Sequence, residues 1–227
     1  MPHATRKNLA ARKAAVARNT KTKTAANGAS AAKNSKSEQT RAQVLRAAID
    51  CIYEEGFNAA HTNRIAARAG VSWGVLQYHF GDKTGLLQAV LDTIFAEFTE
   101  TLRDTPLTEG DLAQRIETLI DVVWSLVSKR EYRVSMAILR NAARGADASI
   151  DGDKMIEMWS VDIGKLWNTL FCDMDKRPKN SITAKRLMFA TVRGLADEVN
   201  PEENIGAKAV RKELVALRDA LVFLVEQ

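Results

Sequence analysis

Apolar residues recur along this 227-residue chain at intervals of three and four, with almost no strict alternation. That period belongs to amphipathic helices and predicts an all-α fold. Val44, Leu45, Ala48, Ile49 and Ile52 form the stripe of a first helix over about 38–56, capped by Ser37 or Thr40 and stopped by Gly56. Two short helices follow between Thr62 and Lys83, and Lys83 opens a long fourth helix to about Arg103. Pro106 and Gly110 mark the segment Thr105–Gly110 as a linker. Beyond it, Asp111–Lys129 carries Leu112, Ile116, Leu119, Ile120, Val123 and Leu126 on one face, and Glu131–Arg144 runs to a stop at Gly145. Ala146–Asp153 reads as a loop. A long helix over Lys154–Met174 ends before Pro178, and the last two helices span about Ile182–Val199 and Ile205–Glu226, separated by Pro201. The final helix places Val210, Leu214, Leu217, Leu221 and Leu224 at the alternating spacing of a coiled-coil seam. That seam, with the face carrying Leu187, Thr191 and Leu195, is the expected dimer interface.

The stretch TNRIAARAGVSWGVLQYHFGDK, Thr62–Lys83, has a particular construction. Thr62 is suited to cap a helix whose inward face is Ile65, Ala66 and Ala69. Gly70 can end it in the left-handed conformation, Val71 turns back to the core, and Ser72 can cap the next helix. In that helix Leu76 and Phe80 face inward, which leaves Trp73, Val75, Gln77 and Tyr78 outside. A solvated face rarely has that composition; a face meeting base edges and phosphates does.

Thr40–Leu87 resembles the N-terminal DNA-binding domain of the TetR (tetracycline-repressor-like) family of bacterial transcription regulators. The resemblance rests on Gly56-Phe57, Thr62, Ile65-Ala66, Ala69-Gly70-Val71-Ser72, Gly74, Leu76, His79-Phe80, Lys83 and Leu86-Leu87 in that order and spacing. One position departs: members often carry Tyr after the Leu, where this chain has Gln77 followed by Tyr78. The resemblance implies a helix-turn-helix domain at 38–85 and a helical effector-binding and dimerisation domain at 86–227. It puts the start of the second helix, with Thr62 and Asn63, against the DNA backbone. Trp73, Gly74, Val75 and Gln77 are expected at base edges, and Tyr78, His79 and Lys83 on phosphates. His79 also admits a packing role or a pH-sensitive one.

Charge adds a third region. Residues 1–37 hold nine Lys/Arg and no acid, within a net charge of +5 for the whole chain. The remainder carries 24 basic and 28 acidic residues, and 38–85 holds five of each. Such a segment buries too little apolar surface to order itself and reads as a disordered basic arm that tracks phosphates. A solubilising tail is the plain alternative, and an acid-free N-terminus rich in Arg and Ser also fits a transit peptide, against which the bacterial cast of the next domain stands. Cys51 and Cys172 lie in apolar patterns and read as buried thiols of a reducing cytosol. No apolar run is long enough to span a bilayer. The expected location is the bacterial cytoplasm, at the nucleoid when DNA-bound.

No catalytic or metal-ligating constellation stands out. His3, His61 and His79 have no partners at ligand spacing, and neither a phosphate loop nor a nucleophile elbow occurs. No enzyme and no cofactor are expected. Trp124, Met136, Trp159, Trp167, Phe171 and Phe189 either fill the core or line a cavity for the small effector that the resemblance implies. Arg140, Asn141 and Arg193 are the polar candidates to orient it, and an arginine there would favour an anionic or carbonyl-bearing ligand; pairing with Asp162 or Asp197 is the structural alternative for each arginine. The reading is a ligand-responsive regulator: a homodimeric repressor on a palindromic operator, with double-stranded DNA and a small effector as partners. The rival from another class is an architectural, nucleoid-type DNA binder dominated by the basic arm.

Overall fold

The computed structural model describes residues 35–143, 150, 152–199 and 210–227, with the side chains at 152–156, 158, 159 and 162 set aside. Most of the basic arm, most of the loop at 146–153 and the segment around Pro201 therefore lie outside the described residues. Every regular element among those described is a helix.

Helix α1 (35–55) buries Val44, Leu45, Ala48, Ile49, Cys51 and Ile52. It is already helical at 35, so residues 35–37 belong to it rather than to the arm, and Ser37 and Thr40 are interior residues, not caps. Thr40 Oγ1 instead donates back to the Lys36 carbonyl at 2.9 Å. Gly56 (φ 85°) turns the chain out of α1. Helices α2 (Thr62–Arg68) and α3 (Trp73–Phe80) follow. The N-cap of α2 is His61 and makes no side-chain capping bond; Thr62, expected as the cap, is the first helical residue. Gly70 (φ 64°) supplies the turn between the two helices, and the Val71 amide closes it on the Ala66 carbonyl at 3.0 Å. Gln43 of α1 donates to the Ala69 carbonyl at 2.8 Å and so ties α1 to the end of α2.

Helix α4 (Lys83–Arg103) starts from Asp82, whose carboxylate accepts from the Gly85 amide at 2.8 Å. It packs on α3 at its start and on α6 and α7 further along. At about 1.5 Å per residue its 21 residues reach roughly 30 Å. The segment 105–110 is pinned, not free: Leu107 is 2% exposed. Helix α5 (Leu112–Val127) opens with a reciprocal capping box between Asp111 and Gln114 and packs against α8 and α9. Helix α6 (Arg130–Ala143) lies against α4. Helix α7 (Gly152–Thr169) ends five residues before the expected Met174. Its continuation is a string of tight turns, with the amides of Phe171, Cys172 and Met174 bonding three residues back. Arg115 of α5 anchors that string through Asp173 at 2.7 Å. Cys172 is exposed there, contrary to the expectation of a buried thiol.

Helices α8 (Ser181–Glu198) and α9 (Arg211–Glu226) close the domain. Asn180 donates to the Leu224 carbonyl at 3.1 Å, so the start of α8 lies beside the end of α9 and the two run antiparallel. Arg133 of α6 donates to the Ala196 and Val199 carbonyls and satisfies the end of α8. A correction arises here. Val210, Leu214, Leu217 and Leu221 are 6% exposed or less within the single chain, facing α5 and α8. The seam is intrachain core, and only its last member, Leu224, stays partly open. A 3.5-residue seam seals an antiparallel intrachain pair as well as a dimer, which is why the spacing misled.

Candidate nucleic-acid interface

The outer face of α3 follows from which residues the core takes. Leu76 (1%) and Phe80 (9%) are buried, so the residues between them are turned out. Trp73 is 51% exposed and Tyr78 82%, among the most open large hydrophobic residues described. Gln77 and Gly74 are exposed as well, while Val75 and His79 are half-buried. Ser72 Oγ accepts from the Val75 amide at 3.4 Å, a long bond that still fixes the helix start. A Cβ built on Gly74 would meet nothing nearer than Ser72 Oγ at 3.9 Å. Nothing in the chain's own packing therefore excludes a side chain at 74. Glycine inside a helix costs about 1 kcal/mol relative to alanine, so the open space points to an approach from outside.

The flanking candidates sit on neighbouring helix starts. Thr62 is half-buried and Asn63 exposed on the first turn of α2; the half-buried Lys83 is the first residue of α4. Lys83 Nζ stands 4.9 Å from the Phe57 ring centre, which orients the ammonium without neutralising it. Two contributors escaped the sequence reading. Arg41 of α1 lies 5.4 Å over the Phe80 ring, and Asp50 of α1 accepts from Arg130 of α6 at 2.7 Å, a contact across 80 residues between the N-terminal helices and the rest. Both are surface charges without a motif, and only the folded chain brings them to these partners.

The effector candidates do not gather in one place. Trp124 (4%), Trp167 (0%) and Phe171 (7%) are core residues. The indole of Trp167 donates to Ser181 Oγ at 2.8 Å and meets Phe171 edge-on at 5.8 Å. Met136 packs on the core rim, and the Trp159 side chain lies outside the described residues. Arg140 is exposed and reaches Asp197 at 4.0 Å, and exposed Arg193 donates to the Phe189 carbonyl at 3.0 Å. Burial pushes the Tyr132 phenol above its ordinary pKa, partly offset by nearby Arg193. Phe189 lines a recess among the described residues, together with Leu102, Val123, Leu126, Val127, Ile163 and Leu166. The cavity volume of the recess is about 10 Å³, the room of one water. Its lining is aliphatic apart from one ring, so weighting aromatics in the sequence missed it. Among the proposed dimer residues, Leu187 is 39% exposed and Thr191 and Leu195 are half-buried on α8. The sequence reading left out Ile182 (57%) and Phe223 (64%), which lie exposed on α8 and α9.

Comparison with known proteins bears on this geometry. The family described as "Bacterial regulatory proteins, tetR family" matches residues 44–90, from the middle of α1 into α4. The HTH-type transcriptional regulator BetI of Klebsiella pneumoniae is 35% identical over 82 residues, which cover 35% of this chain and 42% of that protein. The match thus spans less than half the length of the curated relatives. Over the longer chain the likeness is one of fold. The TetR family transcriptional regulator PfmR from Thermus thermophilus superposes with a TM-score of 0.62 at 14% identity, over 81% of this chain and 99% of that one. LfrR from Mycobacterium smegmatis, in complex with proflavine, gives 0.53 at 18% identity, over 82% and 95%.

Proposed function

We propose, from the match of residues 44–90 to the TetR family of bacterial regulatory proteins, that the chain is a homodimeric transcription regulator of that family, a repressor that leaves a palindromic operator when a small effector enters its C-terminal helices. The observation that carries the reading is the outer face of α3, where Trp73, Gln77 and Tyr78 stand exposed around Gly74, whose Cβ would touch only Ser72 Oγ at 3.9 Å. In this reading Trp73, Gly74, Val75 and Gln77 meet base edges. Thr62, Asn63, Tyr78, His79 and Lys83 hold phosphates and set the register. The outward face of α8 and α9, with Ile182, Leu187 and Phe223, supports a two-fold four-helix contact between copies.

The aliphatic recess supports an apolar effector, and the presence of proflavine in LfrR supports an effector as such. Neither Arg140 nor Arg193 is among the residues that line this recess, though Arg193 donates to the carbonyl of Phe189, which does. In its present state the recess is closed, and an effector must hold α4, α5, α7 and α8 slightly apart. It selects that arrangement by binding it better. Leu102, near the end of α4, lines the recess, while the start of α4 packs on α3. The same helix therefore links ligand and DNA head. A change in its tilt alters the separation of two heads that must match half-sites roughly 34–36 Å apart.

The test is titration of the full chain onto duplexes enriched from a random pool and onto scrambled controls, in moderate salt. Selective binding at one dimer per palindrome is expected. Equal affinity for all duplexes would replace the repressor reading with the architectural one.

A further inference from the structure

We propose that Trp73 is a thymine reader, with its indole covering the C5-methyl group of one thymine in each operator half-site. The inference rests on the operator-binding reading above and names what that surface recognises.

Three observations carry it. First, α3 contains no Arg and no Lys; its sequence is WGVLQYHF. The commonest specific contact in the major groove is an arginine or lysine on guanine O6 and N7, and α3 has neither to offer. The charged neighbours Arg41 and Lys83 stand on α1 and α4, over the Phe80 and Phe57 rings. Second, Trp73 is the first residue of α3, in the turn that enters a groove deepest in helix-turn-helix docking, and half its surface is open. Most of an indole is apolar, and its N–H only donates. The thymine methyl is the apolar group that a base pair presents in the major groove. Third, Gly74 follows, exposed and without a side chain, where a Cβ would touch only Ser72 Oγ at 3.9 Å, so the backbone beside the indole can come close to the groove. Gln77, four residues on, shares the exposed face with Trp73. Its carboxamide matches adenine N6 and N7, so the pair specifies neighbouring A·T base pairs.

The test uses the unaltered full chain first. Duplexes are selected from a random pool, and each thymine of the enriched half-site is then replaced singly by deoxyuridine, which deletes the methyl group and leaves pairing unchanged. Removing one buried methyl is expected to lower affinity about threefold to tenfold at one position per half-site. Trp73→Ala should lose a similar factor on the thymine duplex and no longer distinguish deoxyuridine there, and Trp73→Phe should keep part of the discrimination. Thermal melting of both variants checks that the fold is intact. Indifference to deoxyuridine at every position, in a protein that still selects a sequence, overturns the thymine reading alone. So does a deoxyuridine penalty that persists unchanged in Trp73→Ala. If no sequence is enriched, the operator-binding reading itself falls, and this one with it.

Discussion

Replacing Phe223 by Ala separates the two surfaces of α9. Phe223 is 64% exposed in the single chain. A phenylalanine can bury roughly 150–250 Å², so about 130 Å² of apolar surface is open to a partner. At about 25 cal/mol per Å², covering it is worth about 3 kcal/mol. A two-fold axis counts each residue twice, which doubles the loss to about 6 kcal/mol per dimer. Ordering and desolvation consume part of such a gain, so the expected floor is about 2.8 kcal/mol, a hundredfold rise in the dimer dissociation constant. Folding should hardly change, because the side chain lies outside the core. Leu217→Ala is the counterpart: at 6% exposure inside the chain it should cost about 2–5 kcal/mol of folding stability and leave the dimer constant unaltered. Sedimentation across a concentration series, with thermal melting alongside, measures both. The reasoning is refuted if Phe223→Ala sediments like the parent at every concentration, or if Leu217→Ala dissociates the dimer without lowering the melting temperature.

Three further outcomes are expected. Gln77→Ala should lose about 1–3 kcal/mol at one base position and relax the preference there, whereas Lys83→Ala should weaken all sequences alike; binding selections with each variant distinguish them, and an unchanged motif and affinity for Gln77→Ala would remove it from the base readers. Deleting the basic arm should flatten the slope of log affinity against log salt, by about 0.9 for each phosphate the arm had neutralised, while the sequence preference survives; titrations at several salt concentrations measure this, and an unchanged slope would make the arm a solubilising tail. The Arg115 guanidinium, through its hydrogen bond, holds the Asp173 carboxyl below its ordinary value of 3.8. That contribution to stability is complete above the unfolded value and is lost as pH falls through the lower folded one. The stability gap between parent and Asp173→Asn should therefore shrink on acidification in urea titrations, and a gap that grows would contradict the pairing.

Local rules that act within a few residues were readable in the chain. Gly56, Gly70 and Ser72 do what their types imply, and Leu76 with Phe80 fixes which side of α3 faces out. The outward candidates on α3 follow from that, whereas Thr62 and Asn63 rested on the family resemblance. What escaped depends on contacts across long separations. The 4-3-4-3 leucines of α9 are silent about whether their partner is α5 of the same chain or a second copy. The turns that follow the early end of α7 are tied at Asp173 by Arg115, some sixty positions away. The recess is assembled from aliphatic residues on three helices and Phe189 of α8, none unusual on its own, while Trp124 and Trp167 fill the core.

Gly85 holds a further consequence. A Cβ there would lie 2.1 Å from the Phe80 carbonyl oxygen, a backbone atom that cannot step aside, and Asp82 clamps the Gly85 amide across the same corner. The end of α3 and the start of α4 are thus welded at a fixed angle. A lever welded to its blade can move the blade but cannot reshape its edge. In the proposed mechanism, then, an effector in the recess changes where each head sits and leaves untouched which bases that head prefers. Address and signal are then separable in this protein: the half-site could drift through changes on the outside of α3, and the inducing molecule through changes around the recess, with neither obliging the other to follow.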